Sequence, residues 1–185
     1  MAEWQHSGFV RYPLDNVALG LLMPGPRHGY RLYQDFEKNL GSIWKAGQTK
    51  FYVALSDLEA KGLLCATTEP QEGRPARKVY HLEETGREAF LTWLHQPARS
   101  MRAIRVEFMA KLRFFDLLNL EGARQLIDTQ TEVLQAMLNE WEAPLPEAPQ
   151  TGGDTFYVDV VQEFRRRQAI FMIEWLMHCR SRPWA

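Results

Sequence analysis

Residues 48–82 constrain the fold more than any other stretch, because a helix-patterned segment runs without a break into two strand-like runs separated by Glu72-Gly73-Arg74-Pro75-Ala76-Arg77-Lys78. Over 48–61, Phe51, Leu55 and Leu58 recur at i, i+4 and i+7 as one apolar stripe, and Gln48, Lys50 and Ser56 fall off it. Gly62 ends the helix. Residues 63–68 then read as a strand and 79–82 as its return. The loop between them carries Arg74, Arg77 and Lys78. A helix with a free polar face, followed at once by a basic-tipped hairpin, is a shape suited to a nucleic-acid groove.

Two short helices precede it. Residues 14–23 carry Val17 and Leu21 inward and stop at Pro24-Gly25-Pro26, which no helix crosses. The next helix starts at His28-Gly29-Tyr30, repeats apolar residues at Leu32, Phe36 and Leu40, and ends near Gly41. Three helices and a hairpin between residues 14 and 82 make a minimal winged helix-turn-helix, and a further helix from Glu83-Glu84-Thr85-Gly86 ends at Pro97. The remainder reads as helical: Met101, Ile104, Phe108, Leu112 and Phe115 form one stripe, and Ile127, Leu134, Leu138 and Trp141 another. Pro144, Pro146, Pro149, Gly152 and Gly153 then make a connection, with Asp154 as N-cap of a last helix to about Cys179. That helix carries Phe156, Val160, Phe164, Phe171 and Trp175 on one face and Val161, Ile170, Ile173 and Met177 around it, too wide an apolar arc for one partner. A second copy of the chain in a two-fold dimer is the expected cover. The expected fold is therefore mainly α with a small β-hairpin: a winged helix-turn-helix over 13–97 and a helical dimerisation domain over 98–185.

Composition excludes several classes. Of 185 residues, 45% are hydrophobic and 24% charged, which is globular composition. No apolar run approaches the roughly 18 to 20 residues of a membrane span, and the first residues lack the regions of a signal peptide, so no membrane partner and a cytoplasmic location are expected. Net charge is −1, and residues 1–97 hold 11 Lys+Arg against 11 Asp+Glu, so nucleic-acid affinity has to come from where the cations cluster. Cys65 and Cys179 form no Cys-x-x-Cys pair and read as reduced, partly buried thiols. The five histidines show no i, i+4 pairing with each other or with cysteine, so no metal is expected. The stretch from Gly41 to Thr49 approaches a phosphate loop, but its glycine spacing is one too long and Gln48 stands where Lys is required. With no nucleophile elbow or dinucleotide fingerprint either, neither an enzyme nor a cofactor is expected. Arg165-Arg166-Arg167 points three ways on a helix and reads as solvated or salt-bridging.

The first half resembles the PadR family of bacterial transcriptional regulators. The resemblance is carried by Ala18-Leu19-Gly20-Leu21-Leu22, Gly25-Pro26-Arg27-His28-Gly29-Tyr30, Trp44-Lys45, Phe51-Tyr52 followed by Leu55, Gly73-Arg74-Pro75, and Lys78-Val79-Tyr80-His81-Leu82 through Thr85-Gly86. Beyond residue 97 the likeness is one of length and helix pattern, to the longer members with an extended helical dimerisation domain. The turn Ala46-Gly47-Gln48-Thr49-Lys50 departs from the Pro and Ser common there, so the operator sequence does not carry over.

The resemblance implies a ligand-responsive repressor, a homodimer on a pseudo-palindromic double-stranded DNA operator with half-sites about one helical turn apart. In that reading Gln48 takes adenine, Lys50 a guanine or phosphate, Tyr30 and Tyr52 phosphates, and Arg74, Arg77 and Lys78 the minor groove or backbone, with Lys45 and Thr49 at the helix start. It also implies a small aromatic or phenolic effector, with Trp93, Phe108, Phe115, Phe171 and Trp175 as candidate pocket residues, although an aromatic stripe at helical spacing is more often core than pocket. The other class of function is a winged-helix adaptor that binds proteins. An adaptor has no need for Lys45, Lys50, Arg74, Arg77 and Lys78 on one side.

Overall fold

In the computed structural model of the protein, residues 13–71, 74–142 and 155–184 are described, without the side chains at 71, 74, 75, 142 and 155. The expected connection at 144–153 and the N-cap Asp154 lie outside those residues. The fold is mainly helical with one small sheet, as expected. Its elements are α1 (Pro13–Leu22), β1 (Arg27–His28), α2 (Gly29–Leu40), α3 (Gln48–Ala60), β2 (Leu64–Gln71), β3 (Arg74–Leu82) and α4 (Glu84–His95). Then α5 (Met101–Ala103) runs through a π-helical turn (Ile104–Phe108) into α6 (Met109–Leu118), followed by α7 (Ala123–Glu142) and α8 (Thr155–Arg180).

Phe51, Leu55 and Leu58 of α3 are fully buried, as their spacing predicts. Aromatic packing sets the angle between α2 and α3: Phe51 lies 5.5 Å from Phe36 and 5.7 Å from Tyr33, and Trp44 from the turn meets Phe36 edge-on at 5.6 Å. The Tyr33 hydroxyl lies 3.0 Å from Glu37 Oε1 and 3.3 Å from the Ala46 carbonyl, tying the turn to α2. α3 ends in a Schellman motif. Gly62 takes φ +68°, its N–H donates to Glu59 O, and Leu63 N–H donates to Leu58 O, with Leu58 and Leu63 both buried. The Thr85 hydroxyl then donates to Gly62 O at 3.0 Å, bringing α4 back onto that turn. A Cβ at Gly86 would lie 2.0 Å from the Leu63 carbonyl oxygen, so only glycine allows this approach.

Three features depart from the sequence expectation. The strands are longer than expected and the sheet has three strands, in the order β1-β3-β2. β1 pairs Arg27 with Tyr80 and His28 with Val79, and two residues are too few for any periodicity to show. The β2–β3 ladder runs outward from Leu64↔Leu82 to Gln71↔Arg74, with an irregularity between Glu69 and Gln71 where Pro70 has no N–H to give. The helix expected over Met101 to Phe115 contains the π-helical turn. Finally, Cys65 is exposed rather than partly buried, because its place on β2 turns it outward.

One apolar core runs through both halves of the chain. Phe114 of α6 lies 5.1 Å from Phe90 of α4, and both press on α1 where a Cβ at Gly20 would fall 2.5 to 2.7 Å from their rings. α7 and α8 form an antiparallel pair burying Ile127, Leu134, Leu138, Ala169 and Leu176. The rest of α8 is largely open. Among the described residues, no helix is long and apolar enough to cross a membrane.

Candidate nucleic-acid interface

Because the apolar stripe of α3 is spent on the core, the opposite face and the first turn are left to solvent. Gln48, Thr49 and Lys50 are exposed there, and Lys45 is exposed in the turn before them. The N-cap Gly47 supplies no side-chain hydrogen bond, so the first N–H groups of α3 remain available to an acceptor. Tyr52 is one turn beyond Gln48 and therefore shares its face. It leans toward the sheet: a Cβ at Gly29 would lie 2.9 Å from the Tyr52 ring and 3.0 Å from that of Tyr80. The glycine of His28-Gly29-Tyr30 thus lets α2, α3 and β3 meet.

At that meeting point lies an open groove of about 720 Å³ lined by His28, Gly29, Tyr30, Arg31, Tyr52, Arg77, Lys78 and Tyr80. Of the sequence-predicted residues, it brings together Tyr30, Tyr52, Arg77 and Lys78. Lys45 instead borders a separate recess with Tyr33, Glu37 and Trp44, and the side chain of Arg74 is outside the description. Sequence reasoning missed Arg31 and His28, which join the groove only because β1 lays the start of α2 against β3. Arg31 donates to Gln34 Oε1 at 3.1 Å, and Gln34 Nε2 donates to the Tyr30 hydroxyl at 2.9 Å, so one side chain holds both groove residues.

Carboxylates moderate the charge. Lys78 Nζ sits 3.2 Å from Glu59 Oε2, and His28 Nε2 lies 3.8 Å from Glu69 Oε2, reaching across β3 to β2. Both pairs are largely exposed and worth little to stability, but they set where the cations point. Burial pushes the Tyr80 phenol above its ordinary pKa, the Lys78 ammonium opposing it, so Tyr80 stays a neutral wall of the groove.

The five expected pocket residues are not brought to one cavity. Trp93, Phe108 and Phe115 are buried in the core. Phe171 and Trp175 line a different opening of about 510 Å³, with Ser42, Ile43, Ile104, Arg105, Met109 and Met172. Phe108 backs this opening through an edge-on contact with Trp175 at 6.3 Å. The arginine run on α8 is accounted for locally, since Arg166 and Arg167 both pair with Glu163 one turn away. Among the described residues, no group of three or more His, Cys, Asp or Glu is placed to hold a metal ion.

A three-helix core with a two-residue strand beside its hairpin, an exposed first turn on its third helix and a tyrosine- and arginine-lined groove defines the winged helix-turn-helix class. The model of the "Transcriptional regulator PadR-like family" matches residues 18–91, and that of the "Virulence activator alpha C-term" family matches 104–182. The "Negative transcriptional regulator PadR" of Bacillus subtilis (strain 168) is 32% identical over 129 residues, covering 69% of this chain and 70% of that protein. Among solved structures, Bacillus subtilis PadR in complex with operator DNA is 24% identical, covers 92% of this chain and 98% of that one, and has a TM-score of 0.47. The same protein in complex with p-coumaric acid is 23% identical, with coverage of 92% and 98% and a TM-score of 0.41. The chain belongs to the PadR-like family and is a transcriptional regulator, not an enzyme.

Proposed function

We propose that the chain is a cytoplasmic, ligand-responsive repressor that binds a pseudo-palindromic DNA operator as a homodimer. The observation that carries this reading is the convergence of Tyr30, Arg31, Tyr52, Arg77 and Lys78 on one groove beside the exposed first turn of α3. Gln48, Thr49 and Lys50 enter the major groove with that turn, where Gln48 takes an adenine edge and Lys50 a guanine edge or a phosphate. Tyr30, Tyr52 and Lys45 hold phosphates, and the wing residues Arg74, Arg77 and Lys78 follow the backbone or the narrow minor groove. Residues 13–97 form the DNA-binding unit and 98–185 the dimerisation unit, a division supported by where the two family models fall.

The effector reading rests on the opening between Ile43, Ile104, Phe171 and Trp175. Its volume suits a small planar molecule, its walls are apolar, and Arg105 supplies a cation for an acidic or phenolic group. Ser42 and Ile43 belong to the turn that leads into α3, so an occupant there bears directly on the reading helix.

The test is a titration of the protein against duplex from its own upstream intergenic region and against an unrelated duplex, at two salt concentrations. Salt-dependent binding with at least a roughly thousandfold preference for one duplex is expected. Equally weak binding to both, and to pools from a genome-wide selection, overturns the reading in favour of a protein-binding adaptor.

A further inference from the structure

The segment between α4 and α5 joins the winged half to the helical half, and its backbone is held by two polar side chains that are themselves completely buried. Gln130 of α7 accepts from Ala98 N–H at 2.6 Å and donates to Ala98 O at 3.0 Å, so its amide is matched to both backbone groups of one residue. Lys111 of α6 donates to Gln96 O at 2.7 Å and to Glu107 Oε1 at 2.7 Å, with its ammonium 4.8 Å from the centre of the Trp93 ring. Neither side chain shows any exposed surface. Burying a lysine and a glutamine is costly unless every partner is in place, and an apolar isostere often serves stability as well or better. What such groups give in return is a single geometry: partners that match in one arrangement penalise every other.

We propose that Gln130 and Lys111 are positioning residues that clamp this linker and thereby fix the angle of the winged half on the helical half, which in the dimer sets the operator spacing the two reading helices accept. The proposal rests on the reading of the protein as a dimeric DNA-binding regulator. The two residues come from different helices and grip carbonyls two residues apart, Gln96 and Ala98, so the linker cannot pivot about either one. The carboxylate that completes the Lys111 site is also held from the winged side, by Trp93 Nε1 at 3.0 Å from Glu107 Oε1. Since Glu107 lies in the π-helical turn, the clamp spans α4, that turn, α6 and α7.

The experiment uses the full chain with Gln130→Met, which keeps the volume and removes both bonds, and with Lys111→Met should the first variant fail to unfold cooperatively. Spin labels at Val53→Cys on α3 and Glu132→Cys on α7, in a background with Cys65→Ala and Cys179→Ala and diluted with unlabelled chain, report the angle between the halves without DNA. In parallel, affinity is measured for the selected operator and for versions lengthened by a base pair or two between half-sites. The expected result is one narrow distance in the DNA-free parent, a broadened distribution in the variants, and a spacing preference that falls by roughly tenfold, the order of the net worth of the lost buried hydrogen bonds. A distribution as narrow in folded Gln130→Met and Lys111→Met as in the parent overturns the clamp, whatever the DNA result. Broadening in a protein whose parent shows no spacing preference overturns the link to the operator alone.

Discussion

Among the described residues of the winged half, the large apolar side chains left exposed are Tyr30, in the groove, and Val53, on α3, while α8 by itself exposes Phe156, Tyr157, Val158, Val160, Phe164, Ile170, Phe171 and Met177. The winged half closes its own core: α1, α2, α3 and α4 bury their stripes against one another and, through Phe114, against α6. α8 buries Ala169 and Leu176, packs Met172, Ile173 and Trp175 partly against the core, and leaves the eight side chains just named open among the described residues. An exposed apolar patch of that extent marks an interaction site. The first half is thus complete as a single chain and presents polar chemistry, whereas the second is incomplete without a partner and presents apolar surface.

The sharpest way to break this contrast is to place a charge on each side of it. Phe164→Arg puts a cation in the exposed apolar face of α8 and is expected to cost the dimer about 3 kcal/mol, the size of an interface hot spot. Sedimentation should show a monomer, and operator affinity should fall with it because each half-site is then bound alone. Val53→Arg, an exposed apolar residue on the winged half, should leave the sedimentation coefficient unchanged. A dimer that survives Phe164→Arg removes α8 as the self-association face.

Next in size are substitutions at the glycines that let the winged half close. Gly86→Ala drives a Cβ into the Leu63 carbonyl oxygen, a backbone atom that cannot swing aside, and is expected to destabilise the fold by about 3 kcal/mol. Gly20→Ala meets the rings of Phe90 and Phe114, which have some freedom, and should cost about 2 kcal/mol. Gly47→Ala meets nothing within 4 Å and should leave the melting temperature near that of the parent. Since the Gly20 contact joins α1 to α6, thermal unfolding of Gly20→Ala should stay a single transition. Two separated transitions would mean that the halves fold independently.

The glycines also show how much was legible beforehand. The stripe of Phe51, Leu55 and Leu58, the stop at Gly62 and the long helices of the second half all follow from periodicity, which is a property of the sequence itself. The role of Gly29 does not, because it depends on Tyr52 and Tyr80 arriving from elements far along the chain. Arg31 was invisible for the same reason: a two-residue strand carries no pattern, yet β1 decides that α2 begins beside the wing. The aromatic stripe of the helical half gave candidates for a cavity but could not say which rings point inward, and Trp93, Phe108 and Phe115 turned to the core. Lys111 and Gln130 are polar residues within helical stretches, and the crossing of four elements makes them interior.

On the groove itself, smaller effects are expected. Arg77→Ala and Arg31→Ala should each lower the slope of log affinity against log salt by about 1 if each side chain meets one phosphate, weakening all sequences alike. The same holds for Arg74→Ala. Gln34→Leu removes the side chain that holds both Tyr30 and Arg31, and should weaken binding while leaving the salt slope nearly unchanged, because no charge is lost. Equal slopes for the parent and Arg31→Ala would take α2 out of the interface and leave α3 and the wing to carry it.

The smallest effect tests the outward turn of β2. Cys65 is exposed, and by exposure alone its thiol should react as fast as a free one. Hydrogen bonding toward the Glu83 carboxylate first, then the local loss of solvation and the charges of Glu83 and Glu59, raises the Cys65 pKa above its ordinary value. The thiolate is the reactive form, so at pH 8 the thiolate fraction is below that of an unperturbed cysteine. Alkylation of Cys65 by iodoacetamide should therefore be slower at pH 8 than that of a small thiol, and should catch up as pH rises through the raised pKa. Glu83→Gln removes the charge and should speed the reaction at pH 8. In Cys179 the same shift comes first from burial, with Arg182 opposing it, so Glu83→Gln should not touch its rate. If both cysteines respond alike to Glu83→Gln, the substitution acts by loosening the fold, and the local hydrogen bond is not what protects Cys65.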